Sequence, residues 1–166
     1  MPTMAAMFND VGMAAACVLA ATFSWAGAAK LSRPADTAAA FRDLGLGMTP
    51  ALARIVPVAE LLLAVALLAV PRLGGCVALV LLAAFSIVLV RAMSRGVEAP
   101  CACFGQPGAP PLSAVDLVRN GFLAALAGLA VAAGLEPRLP SLAAVAIVTA
   151  AVTAEAGVLH LLRRRS

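Results

Sequence analysis

Five stretches of this chain are apolar over about the length a membrane-spanning helix needs, roughly 20 residues. The first runs from about Val11 to Ala29 without a charge, and the second from about Leu52 to Val70 with Arg54, Pro57 and Glu60 in its first half. The third, Leu73 to Val90, is uncharged; the fourth runs from about Ala114 to Leu135 and the fifth from about Leu139 to Leu162, with Glu155 inside it. Backbone groups in lipid must find partners within their own segment, so each stretch is predicted to be helical. Val70-Pro71-Arg72-Leu73-Gly74-Gly75 reads as a tight turn that pairs the second and third spans antiparallel. Between Leu31 and Pro50, Leu31, Ala38, Phe41 and Leu44 recur at helical spacing beside Asp36, Arg42 and Asp43. That pattern predicts a short amphipathic helix on the membrane surface; the competing reading is an unstructured linker. From Arg91 to Leu112, Pro100, Pro107, Pro110 and Pro111 restrict φ and define a loop. Ser113-Ala114-Val115-Asp116 then has the form of a capped helix start.

Composition fixes the class. The chain is 63% hydrophobic and 12% charged, with a mean hydropathy of +1.03, against roughly 25% charged in ordinary soluble domains. A soluble chain of this size has too much surface to hide so many apolar side chains. The expectation is an all-α integral membrane protein, one domain over residues 1–166, with four bundled helices and a fifth, C-terminal one.

Charge then speaks to orientation and not to nucleic acid. Ten of the Lys and Arg residues (Lys30, Arg33, Arg42, Arg54, Arg91, Arg95, Arg119 and Arg163 to Arg165) fall on one side of the predicted spans, and two, Arg72 and Arg138, on the other. The bias predicts the N-terminus outside, with the C-terminus and the proline-bound loop at the cytoplasmic edge. Ala26-Gly27-Ala28-Ala29 resembles a signal-peptide cleavage site, but Met1 to Asp10 lacks the basic residues such a leader carries, so the first span is read as retained.

The candidate chemistry gathers at that same edge. Cys101-Ala102-Cys103 lies in the loop, Lys30 ends the first span, and Arg91 ends the third. Arg119-Asn120 lies in the second turn of the fourth, and Glu60 sits about eight residues into the second. A carboxylate at that depth costs about 2.5–3.5 kcal/mol on insertion scales at mid-membrane, which argues for an inward-facing Glu60 near Lys30, Arg91 or Arg119. Two thiols one residue apart close a small, strained disulfide that exchanges readily, or bind a soft metal ion, or do nothing. No His or further Cys nearby completes a four-ligand zinc site. Cys17 and Cys76, assigned near the outer ends of their spans, read as small buried hydrophobes, and His160 as an interfacial residue. No cofactor is evident apart from a redox-active Cys101–Cys103 disulfide.

Lys30-Leu31, Pro57-Val58-Ala59-Glu60-Leu61, Phe85, Arg91, Cys101-Ala102-Cys103-Phe104-Gly105 and Arg119-Asn120 together carry a resemblance to the MauE-like, or MauE/DoxX, family of redox-associated bacterial membrane proteins. It covers roughly residues 10 to 135. The resemblance implies a DoxX-like four-helix bundle in the bacterial inner membrane, and a thioredoxin-like partner that supports disulfide formation in exported proteins. Exported clients conflict with a cytoplasmic thiol pair, unless electrons cross the bilayer, the loop dips between helices, or the client is cytoplasmic. The functional expectation is a thiol–disulfide oxidoreductase in which Cys101 and Cys103 cycle, with Lys30, Glu60, Arg91, Arg119 and Asn120 in supporting roles. The alternatives are a bundle for small-molecule or metal-ion transport, and a non-catalytic membrane partner of a soluble redox enzyme.

Overall fold

The computed structural model describes residues 3–47, 49–97 and 112–133. Five helices follow in order: α1 (Met4–Ser32), α2 (Pro34–Asp43), α3 (Thr49–Ala69), α4 (Pro71–Ser94) and α5 (Ala114–Ala132). All but α2 are long and apolar enough to cross a membrane. The predicted fifth span, with Glu155 and His160, and the thiol pair Cys101 and Cys103 lie outside the described residues.

The four long helices run up and down around a square. α1 packs along α3 and α5, α4 packs along the same two, and α1 meets α4 only across a diagonal. Chain order therefore equals neighbour order, as short connections dictate. Inside, small residues let the backbones approach: Ala14, Ala15, Ala20, Ala64, Ala78 and Ala127 alternate with Leu19, Phe23, Leu67, Leu82 and Leu126. The large side chains Trp25, Leu62, Val65, Val80 and Ile87 point outward. Apolar side chains cost nothing against lipid tails, so a membrane bundle is free to keep its small residues for the interior.

α1 has 29 residues, roughly 43 Å at 1.5 Å per residue, longer than a hydrocarbon core of about 30 Å. Its apolar stretch is embedded in a helix that begins earlier, where the Thr3 hydroxyl accepts from the Ala6 N–H at 3.4 Å. At the other end the chain turns at Arg33, and Pro34 opens α2 at a position where its missing N–H costs nothing. α2 is the amphipathic helix predicted between residues 31 and 50. Its buried Thr37, Ala40 and Phe41 are applied to the bundle, chiefly along α3, so its apolar face is occupied by protein.

The α3–α4 connection differs from its sequence reading. The turn is confined to Val70, because Pro71 already starts α4, so Gly74 and Gly75 are helical. Gly74 serves contact instead: a Cβ there would sit 2.6 Å from the Leu67 Cα and backbone N. Gly74→Ala is expected to destabilise the hairpin by about 1–2 kcal/mol, within the range for overpacking, measured as a lower thermal midpoint in detergent micelles.

Candidate functional site

The site grows from the ladder by which each helix faces inward. On α1, Phe23, Ala26 and Lys30 are buried at steps of three and four; on α3, so are Ala53, Pro57 and Glu60. The two ladders meet at Gly27, where a Cβ would lie 2.9 Å from the Pro57 carbonyl oxygen. That close approach brings Lys30 Nζ to 2.5 Å from Glu60 Oε1, with both side chains 2% exposed. Lys30 is also 5.7 Å from the centroid of the Phe85 ring on α4, close enough for the ring face to favour the cation. Dehydrating either ion alone costs several kcal/mol, so each makes the other's burial tolerable.

α2 closes this end of the bundle. The Thr37 hydroxyl is within reach of the Lys30 and Arg33 carbonyls, at 3.3 and 3.0 Å, two groups at the α1–α2 junction that also accept from the Arg33 and Thr37 N–H groups. Phe41, Leu44, Phe85 and Leu89 enclose an apolar space of about 20 Å³ beside Lys30.

α5 supplies the polar groups on the far side. Ser113 and Asp116 form the reciprocal cap expected at its start, the Ser113 N–H donating to Asp116 Oδ2 at 3.1 Å. Asp116 is buried and lies 3.8 Å from Arg119. One residue on, Asn120 donates to the Leu82 carbonyl at 3.2 Å and to the Ser86 hydroxyl at 3.1 Å, tying α5 to α4. Between these groups is a cavity of about 30 Å³ lined by Thr22, Lys30, Glu60, Phe85, Arg119 and Asn120, among others.

Four sequence candidates, Lys30, Glu60, Arg119 and Asn120, therefore share one cavity. Arg91 does not line it; that residue is exposed in the last turn of α4. Cys101 and Cys103 fall outside the described residues, in the segment joining the ends of α4 and α5. Cys17, assigned near an outer helix end, lies about midway along α1 and is half-buried, while Cys76 is exposed near the start of α4; both are free thiols. Sequence reading missed Thr22, Ser86 and Asp116 as members of the site. Asp116 was visible only as a cap, and Ser86 meets Asn120 only through the register of α4 against α5.

Fold and site define a multi-pass, all-α membrane protein whose four-helix bundle holds a buried ion pair near one end. Residues 8–133 match the sequence model of the family described as methylamine utilisation protein MauE, and the chain belongs to that family. No curated protein and no solved structure matches the chain.

Proposed function

We propose that the protein is a membrane thiol–disulfide exchange protein working through Cys101 and Cys103. The observation that supports this most is the convergence of Lys30, Glu60, Arg119 and Asn120 on one cavity, at the end of the bundle where α4 and α5 are joined through the segment carrying both cysteines. A dithiol next to cations loses a proton more easily, and the thiolate is the attacking species. The exchange balances without a further reagent. One thiolate attacks the disulfide of a thioredoxin-like partner and the second resolves the mixed disulfide. Cys101–Cys103 is then oxidised by two electrons, and the partner's cysteines are reduced and take up the two protons. The positive-inside bias supports a cytoplasmic face for this end.

Titration of the purified protein in glutathione buffers, with free thiols trapped by a mass-tagged maleimide, tests the reading. Cys101 and Cys103 are expected to become protected together in one two-electron step, while Cys17 and Cys76 stay reactive to the denatured-state trap. Thiols at 101 and 103 that stay alkylatable at every poise would falsify the exchange role, as would client disulfides unchanged by Cys101→Ser/Cys103→Ser. The orientation has its own check. A membrane-impermeant maleimide applied to intact cells is expected to leave both cysteines unlabelled; rapid labelling reverses the topology.

A further inference from the structure

Glu60 makes its ion pair through Oε1 alone. Its second oxygen, Oε2, is buried without a hydrogen-bond donor among the described residues, although buried carboxylate oxygens are nearly always satisfied. Glu60 also lines a cavity of about 30 Å³, and about 10–15 Å³ of such volume is enough for one water molecule, provided two to four polar groups surround it. Thr22, Lys30, Arg119 and Asn120 are the further polar side chains on the wall.

We infer that this cavity is a hydration site in which a water molecule donates to Glu60 Oε2, making Glu60 a proton-exchanging group inside the bundle. On the opposite wall the water accepts from Arg119, which reaches the surface with 23% of its side chain exposed; the amide hydrogens of the buried Asn120 are already given to Leu82 and Ser86. Arg119 marks the way out to the aqueous edge. Among the described residues, the charged groups facing Glu60 are Lys30 from α1 and Arg119 from α5, with Asp116 behind Arg119; α4 contributes Leu82 and Phe85, neither titratable. The water supplies the path by which a proton reaches the carboxylate. This site stands on the described bundle alone and does not depend on thiol exchange at Cys101 and Cys103.

Infrared difference spectroscopy of the reconstituted full-length protein reads the site directly. Acidification is expected to produce a protonated-carboxyl band that shifts in heavy water within the mixing time and is missing from Glu60→Gln. Thr22→Val keeps the side-chain shape and removes one polar wall; it is expected to slow that deuterium shift at least tenfold, with the band intact. A band in Glu60→Gln equal to the parent's refutes the assignment to Glu60. If Glu60→Gln does not fold, the Thr22→Val arm decides: a shift as fast as the parent's, or a parent band that does not shift over hours, refutes the water path.

Discussion

Lys30→Met is expected to lower the stability of the bundle by about 3–5 kcal/mol, the usual loss when one partner of a buried pair is removed and the other charge stays behind. Methionine has similar length and no charge, so packing against Phe85 survives while the Glu60 carboxylate is left at 2% exposure without its cation. The size of the effect comes from the stranded charge and not from the contact. That origin gives the double variant a distinctive behaviour. Lys30→Met/Glu60→Met puts two apolar side chains where two ions met, and is expected to recover most of the loss, since apolar replacement of a buried pair is often neutral or stabilising. The single variant should also be rescued by acid, because a protonated Glu60 carries no unpaired charge. Denaturation in mixed micelles, followed by helical circular dichroism, measures all three. A single variant as stable as the parent, or a double variant worse than either single, would show that the pair does not bind α1 to α3.

The ion pair was half legible in the sequence. An acidic residue in an apolar span has to face protein, and that excluded lipid for Glu60 before any coordinates. The choice among Lys30, Arg91 and Arg119 needed helix phase. On α4, Leu82, Phe85 and Leu89 turn inward, and Arg91 lies two residues past Leu89, about 200° round a helix of 3.6 residues per turn, so it faces outward. Counting that phase from Phe85 would have dropped Arg91 as a partner. The first four spans were readable because lipid imposes both length and composition; their ends were not, since helices continue past the apolar stretch when a cap such as Thr3 is present. Gly74 misled for a different reason. Glycine after proline is common in turns, but the same residue is also needed wherever two helix backbones touch, and sequence does not separate the two uses.

Gly27 is where that second use bears most on the site, and Gly27→Val is expected to cost about 3 kcal/mol, at the upper end of the overpacking range. Even the first added carbon would lie 2.9 Å from the Pro57 carbonyl and 3.0 Å from Leu61 Cγ, and the Pro57 carbonyl is backbone that cannot swing aside. α1 and α3 must then separate, and Lys30 follows Gly27 by one turn while Glu60 follows Pro57 by one turn. The separation therefore falls on the ion pair. Gly27→Ala should show the same effect in smaller measure, and the two losses should rank with side-chain volume. Coupling to the pair gives the sharper result. In the Lys30→Met/Glu60→Met background the cost of Gly27→Val should fall by about 1 kcal/mol or more, within the range of interaction energies between neighbouring residues, because no charges remain to be pulled apart. An unchanged cost in that background would mean that Gly27 sets helix packing alone, with no hold on the geometry of Lys30 and Glu60.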